Sequence, residues 1–257
     1  MEEKSIESVL QYIKDSEMIL VGIGKEFSLP WEDSGEPKEL QPYRRSLECE
    51  KIPVQHEIFQ AYQGLIKLLG HKPYFVVTLN TDGLIWRTGL NTDSIVAPCG
   101  DLGKMQCGSH IVEASSIRDK VLTKIYGYES TAGQENYIRQ IIKETAVCPE
   151  CGQPLVFHTV EQEGYQEEGY LSQWAKYKKW LQATLNRKLC VLELGVGFEY
   201  PQVVRWPFEK TVFYNKKGTL VRISGRYPQV PEEIAERSLS VSASPVSFLK
   251  DFRGKTI

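Results

Sequence analysis

Three stretches of this chain, residues 18–21 (MILV), 74–79 (YFVVTL) and 189–194 (LCVLEL), are almost wholly apolar and too short to be buried helices. A strand with one face in water alternates apolar and polar side chains, whereas one covered on both faces reads as a near-continuous apolar run. The three runs therefore predict central strands of a parallel sheet. Helical spacing fills the gaps between them: Ile6, Val9, Leu10 and Ile13; Phe59, Tyr62, Ile66 and Leu69; Leu171, Trp174, Lys178 and Leu181. Strands alternating with helices imply an α/β fold with a sheet covered on both faces. Residues 211–214 and 220–223 add strand candidates, and residues 246–252 a closing helix. Residues 25–53, with prolines at 30, 37, 42 and 53, read mainly as a long loop.

In an open parallel sheet, ligands bind beyond the carboxyl ends of the strands. Four such ends carry glycine: Gly22-Ile23-Gly24, Asn80-Thr81-Asp82-Gly83, Gly195-Val196-Gly197 and Ser224-Gly225. Glycine lets a backbone approach a phosphate closely, so a pyrophosphate-containing ligand accounts for the set. The alternative is that strand-to-helix turns simply favour glycine, and the third glycine of the usual dinucleotide fingerprint is absent. Asn80 and Asp82 either alternate along a strand, pointing the same way, or form a tight turn with Gly83.

The cysteines point to a metal. Cys107-x-x-His110 and Cys148-x-x-Cys151 are two hooks of matching spacing, able to close a tetrahedron around zinc with three thiolates and an imidazole. Four filled positions leave no room for substrate, so the role would be structural. His158 is an alternative fourth ligand, and a redox dithiol at Cys148 and Cys151 an alternative to zinc. The formal net charge is −2, which argues against nucleic acid or an anionic membrane as partner. The acidic start, MEEKSIESVL, is not that of a signal peptide. No apolar run approaches the roughly 20 residues of a membrane-spanning helix. The expectation is a soluble, cytoplasmic protein.

Taken together and in this order, the motifs resemble those of the sirtuin family over nearly the whole chain. Val21-Gly22-Ile23-Gly24 is similar to the family's Gly-Ala-Gly phosphate loop, and Thr78-Leu79-Asn80-Thr81-Asp82-Gly83-Leu84 to its Thr-Gln-Asn-Val/Ile-Asp-Gly-Leu. The cysteine hooks resemble its zinc ribbon, with His110 replacing a cysteine. Residues 195–197 fall at its Gly-Thr-Ser turn, and Ile223-Ser224-Gly225 at its Ile-Asn turn. Leu192-Glu193-Leu194-Gly195-Val196-Gly197, then Pro201 and Trp206-Pro207-Phe208, resemble the macrodomain-associated class M branch in particular.

The resemblance implies a Rossmann-like parallel sheet of the deoxyhypusine synthase-like NAD/FAD-binding type. Its core would span 1–104 and 156–257, with a small zinc-ribbon module inserted at 105–155 in one sirtuin-type domain covering 1–257. It implies NAD as cosubstrate and structural zinc held by Cys107, His110, Cys148 and Cys151. Gly22, Ile23, Gly24, Asn80, Asp82, Gly195, Val196, Gly197 and Ser224 would bind NAD, and Asn80, Asp82 and Cys99 would occupy catalytic positions. The class M branch implies ADP-ribosyl transfer to a protein acceptor, with a lipoyl-carrier protein and a macrodomain protein as partners. Lysine deacylation, a catalytically weak NAD- or ADP-ribose-binding module and NAD hydrolysis are the alternatives. Cys99-Gly100-Asp101 stands where deacylating members have His-Gly and class M members Gln-Gly-Asp. Lys25-Glu26-Phe27 replaces small residues and serine, and Ser224 replaces a ribose-binding asparagine. Cys99 is then either a thiol activated as a base or a small apolar filler.

Overall fold

The computed structural model describes residues 2–31, 35–127 and 134–252. Along the chain, α1 (Glu2–Asp15) leads into β1 (Met18–Ile23). Then α2 (Gln41–Lys51) and α3 (Glu57–Leu69) precede β2 (Tyr74–Thr78) and β3 (Ile95–Val96). A separate block holds β4 (Gly100–Gln106), β5 (Ile111–Glu113), α4 (Ser115–Tyr126), α5 (Gln134–Thr145) and β6 (Val156–Thr159). After it come α6 (Glu168–Ala183), β7 (Leu189–Leu194), α7 (Arg205–Tyr214), β8 (Thr219–Ile223), β9 (Ser238–Val241) and α8 (Pro245–Phe252).

Six strands form one sheet in the order β3-β2-β1-β7-β8-β9, and every pairing is parallel. The chain builds outward from β1 on one side, then returns to β7 and builds outward on the other. The strand order reverses at β1/β7, the boundary at which ligands bind in open α/β sheets. Alternate residues of each strand face opposite sides. Ile19, Val21, Ile23, Leu192 and Leu194 pack with Val9 of α1, Leu65 of α3 and Leu249 of α8. Leu20, Val77, Val191 and Leu220 pack with Tyr177 of α6 and with Phe208 and Val212 of α7. Both faces are dry, which is why the strands carry no polar alternation.

A second, three-stranded antiparallel sheet, β5-β4-β6, packs with α4 and α5 around Met105, Val121, Leu122, Ile138 and Phe157. It runs from Gly100 to Thr159, wider than 105–155. It also takes a helix from upstream. Tyr43 of α2 meets Phe157 edge-on at 4.9 Å, and the Ser46 hydroxyl donates to the Leu102 carbonyl at 2.7 Å. Among the described residues no helix is long and apolar enough to cross a membrane.

Two expectations change. Residues 25–53 are not loop throughout: α2 occupies Gln41–Lys51. Its buried face is only Tyr43, Ser46 and Cys49, one of them polar, so its periodicity is faint. Pro42 stands in the first turn, where a missing N–H costs nothing. Residues 211–214 are not a strand but the end of α7, where Phe208 and Val212 are buried at helical spacing while Phe213 and Tyr214 face outward. The edge strands β3 and β9 escape the sequence because one is two residues long and the other is half serine.

Candidate active site and zinc centre

Strand register sets the site. Thr78, Ile23, Leu194 and Ile223 stand on one rung across four adjacent strands, so the turns after β2, β1, β7 and β8 emerge side by side. Ile23 and Val196 bury their side chains in opposite cores and offer only backbone to a ligand. A Cβ on Gly24 would lie 2.3 Å from the Gly195 carbonyl oxygen and 2.5 Å from Val196 Cα; the two loops touch backbone to backbone. Gly195 has φ +64, and a Cβ there would strike Glu26. Gly22 does something else: its missing side chain makes room for Val204 and Phe208, seating α7 against β1.

A buried ionic network holds the β7 and β8 loops. Glu193 and Arg222 face each other in register and are wholly buried, with Nε 2.6 Å from Oε2. Arg222 also reaches Glu209 at 2.7 Å. Arg205 donates to the carbonyls of Val196 at 3.0 Å and Gln229 at 3.1 Å, and its guanidinium stacks on Phe198 at 4.4 Å. Burial pushes the Glu193 carboxyl up, and the Arg222 guanidinium opposes that. Arg205 and Arg222 carry no motif and are visible only once the strands are aligned.

Asn80 and Asp82 lie beyond the end of β2, in a turn rather than on a strand. Asp82 Oδ1 accepts from the Leu84 amide at 3.0 Å, and Gly83 is left-handed at φ +69. Asn80 is held by its side-chain amide, which donates to the Phe27 carbonyl. Its Oδ1 is buried and meets no donor among the described residues. An unmet buried acceptor costs stability unless a ligand satisfies it. Both side chains line a cavity of about 310 Å³ that also receives Lys25, Lys38 and Arg45. Burial raises the Asp82 carboxyl from 3.8 to about 6, helped by the charge of Asp101 and opposed by the Leu84 amide and Lys25. Asp82, Asp101 and Trp86 share an adjoining cavity. There the Trp86 indole donates to Asp101 at 2.7 Å.

Cys99 is 2% exposed and packs in the core between the sheet and α6/α7. Burial pushes its thiol up to about 12, so it keeps its proton at neutral pH. Its backbone carbonyl accepts from the Val160 amide at 2.9 Å, tying the start of the small sheet to its end.

A second cavity, of about 270 Å³, lies over β1, β7 and β8 and is lined by Glu26, Arg226, Phe198 and Tyr227. Lys25 lines both cavities, placing one cation between them. Ser224 is fully buried and donates to Glu26 at 2.7 Å. These lysines and arginines are scattered in sequence, so no local pattern could have grouped them.

The zinc hooks converge. Ligand atoms of Cys107, His110, Cys148 and Cys151 all lie within 4.8 Å of one another. Cys107 Sγ is 3.7 Å from both His110 Nδ1 and Cys151 Sγ, and Cys148 Sγ is 3.7 Å from His110 Nδ1. Tetrahedral zinc with sulfur and nitrogen ligands has edges of about 3.7 Å. The remaining His110 nitrogen lies 3.3 Å from Glu150, the outer carboxylate that orients a metal-bound imidazole. Amides of Ser109 and His110 draw the Cys107 thiol down to about 6, toward the thiolate a metal needs. His158, on β6, is not part of this group; its Nε2 donates to the Gln166 carbonyl at 2.9 Å.

A Rossmann-like parallel sheet joined to a Cys₃His cluster fit for zinc defines a class: α/β folds carrying a small metal-binding module. Within that class, the fold is that of the sirtuins. A Sir2 enzyme described for its mechanism and regulation aligns over 97% of this chain and 96% of its own, at 14% identity and a TM-score of 0.54. A Sir2 variant with NAD and a p53 peptide aligns over 96% of each chain, at 13% identity and a TM-score of 0.57. No protein-family model matches the chain. By sequence, a Staphylococcus aureus protein ADP-ribosyltransferase is 24% identical over 71% of this chain, and a Fusarium oxysporum probable bifunctional ADP-ribose hydrolase/ADP-ribosyltransferase 29% identical over 70%. The matches span 57% and 31% of those relatives' own lengths.

Proposed function

We propose that the protein is an NAD-dependent protein ADP-ribosyltransferase. The observation that carries this reading is the pairing of Asn80, with its unmet buried oxygen, and Asp82 in one cavity at the rim where the glycine loops emerge. NAD supplies the ribose–nicotinamide bond whose cleavage releases nicotinamide and leaves the ribose carbon open to an acceptor nucleophile. Asp82 accepts from a carboxamide N–H. Asn80 presents its oxygen to a ribose hydroxyl or to a water beside it, held still by the bond to Phe27. Lys25 stands where a diphosphate would cross between the cavities. Oriented polar groups in a dry site stabilise developing positive charge without reorganising. The turns at Gly24 and 195–197 complete the dinucleotide seat, and Ser224 acts on it through the Glu26 carboxylate that it holds.

Two features favour transfer over deacylation. Both relatives carry ADP-ribosyltransferase in their names. And Cys99, at the position of the general base, is a buried, protonated thiol, which we read as a packing residue. The acceptor we infer is a lipoyl-carrier protein. A macrodomain protein is the inferred companion, in keeping with the hydrolase paired to the transferase in the Fusarium relative's name. We infer a cytoplasmic location.

The test is release of nicotinamide from NAD, with acyl-peptide and lipoylated carrier supplied separately and products read by mass spectrometry. We expect mass added to the carrier, and a loss of about 10²-fold or more in Asn80→Ala. Deacylated peptide would establish the alternative, and binding of NAD without nicotinamide release a non-catalytic module. Full turnover in Asn80→Ala would overturn the site.

A further inference from the structure

An acidic side chain at a rim meant for a diphosphate needs a reason. Glu26 follows the glycine loop of β1 and crosses to the loop after β8. Its Oε1 accepts from the Ser224 hydroxyl at 2.7 Å and the Arg226 amide at 3.3 Å, and its Oε2 from the Gly225 amide at 2.7 Å. Ser224 accepts in turn from the Tyr227 amide at 2.8 Å, so its proton is committed to Glu26. The carboxylate is thus fixed in direction, and the backbone donors at Gly225 and Arg226 are already used. A phosphate is left with only the side chains of Lys25 and Arg226 on that cavity.

The same cavity offers two exposed aromatic rings. Phe198 and Tyr227 are 57% and 39% exposed and meet edge to face at 5.2 Å. Phe198 is backed by Arg205, which holds the ring in place without covering it. Gly195 and Gly197 keep the floor low: a Cβ on the first would strike Glu26, and one on the second would press on Tyr227 at 3.2 Å. A ligand for this cavity needs a flat apolar part for the rings and neutral donors for a fixed carboxylate. A nucleoside has both, in its base and its 2′,3′-diol.

We propose that Glu26 is the specificity-determining residue for the adenosine half of the dinucleotide. Its carboxylate accepts the ribose diol and excludes a 2′-phosphate by charge repulsion. The proposal rests on the NAD-binding reading above. It makes the protein selective for NAD over NADP with an acid that comes directly after the glycine loop rather than from the end of a second strand.

The test is calorimetric titration of the full chain with NAD, NADP, ADP and 2′-deoxy-ADP. We expect the wild type to favour NAD over NADP, and ADP over 2′-deoxy-ADP, by about tenfold or more, since a buried hydrogen bond to a charged partner carries that much discrimination. In Glu26→Ala both preferences should collapse towards unity, with NAD itself weakened. Glu26→Gln keeps an oxygen for the Gly225 amide and guards against a merely misfolded loop; it should relieve the repulsion of NADP most. Glu199→Gln, at the other acid of the cavity, should leave both ratios unchanged. Equal or tighter NAD binding in Glu26→Ala would show a plug rather than a recognition group and overturn the proposal, as would the same effect from Glu199→Gln. A wild type that takes up none of the four ligands would sink the NAD reading itself, a result distinct from loss of selectivity.

Discussion

The zinc module and the dinucleotide rim are built in opposite ways. The module's defining contacts are side chains on two short hooks, each local in sequence, closed by a metal. The rim's are backbone turns from four strands spread from residue 22 to residue 225, aligned by a sheet with two dry faces. The module has a core of its own, and the rim rests on the two that cover the faces of the large sheet. A small unit leans on its metal. A site on a large sheet has stability to spare, and this one carries an unmet acceptor at Asn80 Oδ1 where a ligand can meet it.

The largest effect that would break this comparison is metal removal. Chelation, or Cys148→Ser, is expected to unfold the 100–159 module while the six-stranded sheet keeps its protection in hydrogen exchange. Structural zinc contributes about 10 kcal/mol or more to small modules. Loss of both units together would mean that the module is not energetically separate.

Gly24→Ala comes next. Its methyl would meet backbone of the β7 loop at 2.3 Å, where no side chain can give way. Overpacking of this kind costs about 1–3 kcal/mol, and NAD binding should weaken with it, leaving the zinc content unchanged. Thermal melts and metal analysis check this.

Asp82→Asn sharpens the contrast, because it should stabilise the protein while abolishing turnover. The carboxyl titrates at about 6 in the fold against 3.8, so between those values the folded state holds a proton the unfolded chain has lost. Asp82's effect on stability therefore becomes unfavourable as pH rises through that window, reaching about 3 kcal/mol above it. Melts across pH should show Asp82→Asn gaining most at neutral pH and least at pH 4. Turnover of the wild type should fall below pH 6, as the acceptor is protonated.

The smallest effect is at Cys99→Ala. A packing thiol should lose about 1 kcal/mol of stability and leave nicotinamide release unchanged. A collapse of turnover with the melt intact would restore Cys99 to the chemistry.

Much of this was legible in the chain. Buried parallel strands announce themselves, since two covered faces leave no polar alternation, and residues 18–21, 74–79, 189–194 and 220–223 all lie in or overlap strands of the sheet. The cysteine hooks are local and chemically specific. Less legible were α2, whose buried face includes Ser46, and α7, whose last turn mixes aromatic and β-branched residues that mimic a strand.

The amino-acid order by itself determined the central strands of the sheet, that glycine marks their carboxyl ends, and that two hooks are spaced to hold a metal, because periodicity and ligand spacing act over a few residues. Only the tertiary structure decided that the four turns stand on one rung, that Lys25 lies between two cavities, that Arg205 and Arg222 brace the loops, and that Glu26 reaches the β8 loop. Those contacts join residues as many as two hundred positions apart, and nothing in a local pattern encodes the register that brings them together.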